Sequence, residues 1–392
     1  MERRTTKSSS AAAAGPDALD LPKTMRALGA RKYTQMSGLE VLEVPVPEIK
    51  EPKQMLIKMH AAGFATGDAN IIAGKMKMLV GNKLQFPLRA GIVGSGVVVQ
   101  VGSAVTAFRP GDAVYGMALS RPLTFNPHPG YASEYAIGRE DLFLPKPAAL
   151  SFEAAAAAFG STLTAYQSIE LGLRLLREQG VSVLDGSLEG KTVFVPGALS
   201  ATGGVGVQML KHVYGARRVI STVSTAKMPL VRERLPSGTV DEVIDYQKTP
   251  RLADAVAPGS VDFVYGTQWT LDYISVTNRQ RGVIVAIAAL FPTELFREVL
   301  GDVVPFWFLW LASLAQLYYR WRLRGTGIKW GVVSGNAGAR GDVERVGEIL
   351  ATGKIQPVMT VVEMGDIEAV REAAEKVQKI KGGIGGLVIK IA

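Results

Sequence analysis

Between Val193 and Lys227 the chain reads VFVPGALSATGGVGVQMLKHVYGARRVISTVSTAK. An apolar run ends at Val195, and glycines follow at Gly197, Gly203, Gly204 and Gly206. A helical stretch then runs to about Tyr214, with Gly215 as its stop. The pattern is strand, turn, helix, strand. A helix N-terminus presents unpaired N–H groups and the positive end of its dipole, so a pyrophosphate sits there naturally. Glycines lack the Cβ that would hold the backbone away from phosphates and the helix away from its strand. The helix is expected to begin near Gly203 or Gly204, with Thr202 just ahead of it and either Gly197 or Ala201 opening the turn. No strict G-x-G-x-x-G is present, and a glycine-rich turn in an ordinary strand–helix–strand unit accounts for the same spacing.

The second strand narrows the ligand. A carboxylate for a ribose hydroxyl belongs about 20 residues beyond the glycines. Here that place reads STVSTAKMP, Ser221 to Pro229, without an acid. The hydroxyls of Ser224 and Thr225 and the ammonium of Lys227 suit a 2′-phosphate, which predicts NADPH rather than NADH. The competing reading of Lys227 is a solvated surface lysine.

These residues need a scaffold, and the chain of 392 residues has room for two domains. Thr24 to Leu150 carries short β-branched runs, such as Gln54–Phe64, cut by turn signals like FRPGD. Ser151 is an N-cap before an alanine-rich helix. Candidate strands follow at Thr192–Val195, Arg218–Val223, Glu242–Asp245, Val261–Tyr265 and Arg281–Ala286, with helical stretches between several of them. Apolar strands alternating with helices imply an α/β fold with a parallel sheet covered on both faces. The last fifty residues read helix, strand, helix, strand.

Composition removes several chemistries. With no cysteine, disulfides, thiolate zinc sites, iron–sulfur clusters and a cysteine nucleophile are all excluded. The three histidines, His60, His128 and His212, show no ligand spacing, so no metal is expected. The net charge of +9 is spread along the chain without a nucleic-acid-binding motif, so no nucleic acid is expected. Residues 1–22 read as a floppy polar tail without the apolar core of a secretory leader, and Glu2 argues against a transit peptide. The expected location is cytoplasmic. VVPFWFLWLASLAQLYYRWRLR, Val303 to Arg324, is apolar almost all round and ends in arginines. It reads first as a buried helix or a lid over a substrate cleft, next as an interfacial membrane helix, and last as a true span.

In order along the chain, AAGFATGDAN (Ala61–Asn70), VGSGVVVQVGSAVTAFRPGDAVYG (Val93–Gly116), GYASEYAI (Gly130–Ile137), FGSTLTAYQSI (Phe159–Ile169), the glycine cluster and GGLVIKI (Gly385–Ile391) resemble the medium-chain dehydrogenase/reductase superfamily, in its zinc-free quinone-reductase and enoyl-reductase branch. VPGALSATGGVG and STVSTAKMPLV resemble reductases of fungal polyketide pathways, including stand-alone enoyl reductases. The resemblance implies a GroES-like β-rich catalytic domain over residues 23–154, a Rossmann NADPH-binding domain over 155–340 carrying the apolar helix 303–324, and a return to the catalytic domain over 341–392. It implies that Gly203, Gly204, Val205 and Gly206 face the pyrophosphate, that Ser224 and Lys227 face the 2′-phosphate, and that Tyr246 lies near the adenosine. Thr162 and Thr164 fall at the nicotinamide side. It also implies a homodimer through the Gly327–Val333 edge strand.

Two places depart from the family pattern. LSA, Leu199 to Ala201, lengthens the pyrophosphate turn, and ATGD, Ala65 to Asp68, keeps the aspartate while replacing the family's asparagine by Ala65. The implied reaction is hydride transfer to an activated C=C of a lipophilic, polyketide-like enone, followed by protonation of the resulting enolate. Tyr131, Tyr135, Tyr166 and Lys75 are the candidate proton donors, and Tyr135, Asp68, Thr162 and Thr164 are the catalytic candidates. Asp68 also reads as a positioning carboxylate. The alternatives are carbonyl or quinone reduction, or a reductase fold turned to non-redox isomerisation or cyclisation.

Overall fold

The structure, a computed structural model, describes residues 21–75, 77, 84–119, 130–183, 186–268, 270–300 and 304–392. All but the last two residues of the expected N-terminal tail, together with His128 and the first residue of the apolar segment, lie outside that set.

β-branched runs punctuated by glycine and proline give eight strands in the first part of the chain. They are β1 (Thr24–Ala30), β2 (Glu40–Pro45), β3 (Gln54–Phe64), β4 (Leu88–Arg89), β5 (Val93–Val101), β6 (Ala113–Met117), β7 (Tyr135–Arg139) and β8 (Phe143–Pro145). A short helix, α1 (Thr66–Ile72), follows β3. Ser151 then caps α2 (Phe152–Glu178), its hydroxyl accepting from the Ala154 N–H at 3.1 Å.

The alternating segment supplies β9 (Thr192–Pro196), α3 (Ala201–Gln208), β10 (Arg218–Val223), α4 (Met228–Arg234), β11 (Glu242–Asp245), β12 (Phe263–Gly266) and β13 (Val283–Ala286). Next come α5 (Thr293–Leu300), α6 (Phe306–Leu323) and β14 (Lys329–Val332). The six strands form one sheet in the order β11-β10-β9-β12-β13-β14, every pair parallel. Both faces are buried, as an all-parallel sheet requires. Phe194, Ile220, Val264 and Ile284 pack on Tyr273 and Val276, while Val193, Val195, Phe263 and Val283 pack in the larger core that includes α2.

The chain ends with α7 (Arg340–Ala351), β15 (Met359–Glu363), α8 (Ile367–Gln378) and β16 (Gly386–Lys390), the alternation read from sequence. β16 pairs antiparallel with β3, placing Leu387 opposite Phe64, so the last strands rejoin the first part of the molecule. The second sheet runs β15-β16-β3-β5-β6-β8, with β7 also on β3.

Two expectations are corrected. The helix after the glycine turn begins at Ala201, because Ser200 rather than a glycine is its N-cap, and it continues as a π turn over Met209–Val213. The apolar helix is not buried. Only Ala312 and Tyr319 of α6 are buried, because the helix rests one narrow face on α5 and on Trp330. Phe296, Val304 and Ala312, with Phe291 and Phe308 around them, make a small core separate from the two sheet cores. Among the described residues no helix is long and apolar enough to cross a membrane.

Candidate active site

The turn between β9 and α3 is built on Gly197, whose φ of +77° is open to glycine and strained for other residues. Its N–H and that of Ala198 both donate to the Thr222 carbonyl of β10 at 3.1 Å, which anchors the turn to the neighbouring strand. The Ser200 N–H returns to the Gly197 carbonyl at 2.9 Å, and the Ser200 hydroxyl accepts from the Gly203 N–H at 3.0 Å. The cap thus uses the third amide of the helix. The amides of Ala201 and Thr202, which are only half-buried, belong to the first turn and have no acceptor within the helix. They are the groups a pyrophosphate would take.

Of the two roles expected of the glycines, the structure displays the close packing of helix on strand. Gly203, Gly204, Val205 and Gly206 are all buried and do not line an open face. A Cβ on Gly203 would lie 2.2 Å from the Gly197 carbonyl oxygen, and one on Gly206 would lie 2.6 Å from the Tyr265 ring of β12. They are glycines because turn, helix and strand approach closely. Gly197, Ser200, Ala201 and Thr202 form the outer rim of the turn. Ser200 was readable from sequence as a serine just ahead of a helical run. Gln268, whose Nε2 lies 3.1 Å from where a Gly197 Cβ would sit, had no local signal.

At the second strand Ser224 begins a short helical turn and Lys227 ends it. Tyr246 is half-exposed, its N–H donating to the Val223 carbonyl at 3.1 Å. The absence of an acid in this corner is corrected. Parallel register places Asp245 of β11 opposite Val223, and its carboxylate accepts from the Thr225 hydroxyl at 2.7 Å. That hydrogen bond is the largest of the effects holding the Asp245 carboxyl below its usual range. The Lys227 ammonium donates to the Gly383 carbonyl, and burial lowers its pKa. The glycine-rich run before β16 therefore closes over the turn. Gly385 donates to the Leu199 carbonyl at 2.8 Å and forms an isolated bridge with Ser200.

The four catalytic candidates are not brought together as one constellation. Asp68 is 1% exposed and accepts from the N–H groups of Ala65 and Gly91, each at 2.8 Å. It ties α1 to the loop before β5 and is a positioning carboxylate. Burial pushes its pKa up to about 6 against those two hydrogen bonds. Thr162 is fully buried and its hydroxyl donates to the Ala158 carbonyl at 2.8 Å. Thr164 makes the equivalent bond to Gly160 at 2.9 Å but is half-buried, and its hydroxyl faces Gly335 in the loop beyond β14. It is the threonine placed at the carboxyl ends of the parallel strands, where open sheets of this kind bind ligands. Tyr135 sits on β7 opposite Lys58, with its N–H on the Met25 sulfur. Tyr131 is buried and donates to the Met117 carbonyl at 3.3 Å, and burial raises its pKa.

No group of three or more metal-ligating side chains occurs among the described residues. His60 stacks on Phe152 with centroids 4.2 Å apart, and the His212 Nε2 bonds the Thr239 hydroxyl at 2.9 Å.

A β-rich, largely antiparallel sheet joined to a doubly wound parallel sheet, with a glycine turn at the carboxyl end of its β9 strand, defines a dinucleotide-dependent oxidoreductase fold. Residues 51–148 match the family model for the alcohol dehydrogenase GroES-like domain. The chain is 32% identical over 305 residues to 2-methylene-furan-3-one reductase of Solanum lycopersicum, covering 76% of this chain and 71% of the relative. It is 33% identical over 310 residues to the chloroplastic NADPH-dependent alkenal/one oxidoreductase of Arabidopsis thaliana, covering 76% and 72%. The quinone oxidoreductase from Coxiella burnetii superposes with a TM-score of 0.71 at 21% identity, over 94% of this chain and 100% of that one. The chain belongs to the medium-chain dehydrogenase/reductase superfamily of oxidoreductases.

Proposed function

We propose that the protein is a zinc-independent, NADPH-dependent reductase of activated C=C bonds in lipophilic α,β-unsaturated carbonyl compounds. The observation that carries it is the turn at residues 197–202. Two first-turn amides have no acceptor within the helix there, the serine cap engages the third, and a lysine stands at the next strand end. The relatives named as an NADPH-dependent alkenal/one oxidoreductase and a 2-methylene-furan-3-one reductase support the same chemistry.

In this reading Gly197, Ser200, Ala201 and Thr202 hold the pyrophosphate, and Ser224, Thr225 and Lys227 hold the 2′-phosphate. Tyr246 flanks the adenosine. Held there, NADPH would supply the hydride for the β-carbon of an enone, with a proton for the α-carbon giving the saturated product and NADP⁺. Thr164 orients the nicotinamide end. Asp68 does not touch the reacting atoms; it fixes the strand junction at Gly91. Sequence resemblance to polyketide-pathway reductases supports a polyketide-like substrate within this class. The position of β14 at the sheet edge supports the expected homodimer.

The test is incubation of purified protein with NADPH and matched enones, saturated ketones and quinones, followed at 340 nm with product masses. Reduction of the enone by two hydrogens with its carbonyl intact is the expected result. Consumption with quinones or saturated ketones alone would replace the proposal by quinone or carbonyl reduction. Enone isomerisation without NADPH loss would replace it by a non-redox activity.

A further inference from the structure

α6 turns its most apolar side outward. At about 100° per residue, a line through Leu314 has Trp307, Tyr318 and Leu311 on one side and Trp321, Trp310 and Leu317 on the other, with Phe306 at the margin. Together they fill an arc of about 140° in which no polar residue falls. Each of these eight side chains is 40–84% exposed. Allowing about 200 Å² of surface for each side chain, the patch is on the order of 800 Å², above what soluble monomers ordinarily leave open.

The rim of this face is cationic. Arg320, Arg322 and Arg324 cluster at the C-terminal end. The Arg322 guanidinium donates to the Tyr318 hydroxyl at 3.0 Å, and that of Arg324 lies 5.6 Å from the Trp321 ring centroid. Arg322 and Arg324 thus lie against the same aromatics that form the outward band. The eighteen residues of α6 contain no aspartate or glutamate. A second copy of this helix, packed against the first, would offer the arginines no partner.

We propose that the outward face of α6 seats the protein on an anionic lipid surface, lying in the plane of the interface. The aromatics would occupy the headgroup level and the arginines the lipid phosphates, as in interfacial amphipathic helices. The remaining face stays on α5 and Trp330, so seating requires no change in the fold. The inference rests on this surface alone and is independent of the reaction proposed above.

The experiment is co-flotation of the intact protein with vesicles of phosphatidylcholine, with and without phosphatidylserine. Binding is expected with the anionic vesicles, together with a blue shift of tryptophan emission, and it should weaken as salt screens the arginines. Replacing Arg320, Arg322 and Arg324 by Gln should lower partitioning about fivefold for each arginine. Leu314→Glu should abolish binding without lowering the melting temperature, since the side chain is already open. Because salt dependence is read on the unaltered protein, a misfolded variant leaves the test intact. Absence from both vesicle types, or equal, salt-insensitive binding to both, overturns the proposal. So does a concentration-dependent dimer, without vesicle binding, that Leu314→Glu splits: the face would then be a contact between copies.

Discussion

Gln208 and Gln356, 148 residues apart, are joined by two hydrogen bonds. The Gln208 Nε2 donates to the Gln356 carbonyl at 2.8 Å and its Oε1 accepts the Gln356 N–H at 2.8 Å. One side chain here imitates a strand, satisfying both backbone groups of the segment that precedes β15. Gln208 is fully buried, so the pair holds α3, and the glycine turn before it, against the returning chain. Gln208→Leu should lose about 1–3 kcal/mol of stability in urea unfolding, because two partly buried backbone groups lose their partners. An unchanged midpoint would mean that water replaces the amide.

Asp68 should leave a mark on the pH dependence of stability. Burial raises its carboxyl to about 6, so below that pH the folded chain holds the proton more tightly than the unfolded chain does. The stability gained is complete below about pH 4 and is lost as pH rises through 6. Asp68→Asn should remove this slope, while its amide hydrogens oppose one of the two N–H donors. The advantage of the wild type over Asp68→Asn should therefore be roughly 2–3 kcal/mol larger at pH 4 than at pH 7.5. A gap that stays constant across that range would refute the raised pKa.

Lys227 and Asp245 should act on cofactor choice in opposite directions. Lys227→Ala removes a charged contact to the 2′-phosphate and should weaken NADPH about 10- to 150-fold, with NADH little changed. Asp245→Asn removes the carboxylate beside Thr225 and should tighten NADPH severalfold. Titration of nicotinamide fluorescence reads both. Equal losses for NADPH and NADH in Lys227→Ala would assign the lysine to the Gly383 contact alone.

Gly206 and Gly341 should respond oppositely to alanine. A methyl at Gly206 meets the buried Tyr265 ring at 2.6 Å and should cost about 1–3 kcal/mol. Gly341, in the first turn of α7, has nothing within 4 Å of a built Cβ, and Gly341→Ala should stabilise by about 0.5–1 kcal/mol. Thermal unfolding decides both. A neutral Gly206→Ala would return that glycine to the phosphate-approach role read from sequence.

What the sequence disclosed and what it hid divide along the range of the interactions. Arg218–Val223, Glu242–Asp245 and Gln54–Phe64 stand as read, since apolar runs bounded by turn residues are local signals. The alternation of the last fifty residues was equally legible. The approach of Asp245 to Thr225 was not, because it depends on the parallel register of β10 and β11. Thr162 and Thr164 are two residues apart on one helix, and only packing makes one buried and the other accessible. The glycines were found, but whether a missing Cβ admits a phosphate or a tyrosine ring is decided by a strand some sixty residues away. The apolarity of residues 303–324 was plain, while the face it presents depends on how little of it α5 covers.

α5 and α6 occupy the connection between β13 and β14, neighbours that are in register at Val283 and Lys329. A crossover between parallel strands needs only a dozen or so residues, and this one carries a helical pair with its own small core. Neither sheet depends on that core for its burial. The pair is a two-helix insertion whose outer face can vary without disturbing either sheet, while Tyr319 and Leu323 tie its inner face to Trp330 and the core beneath.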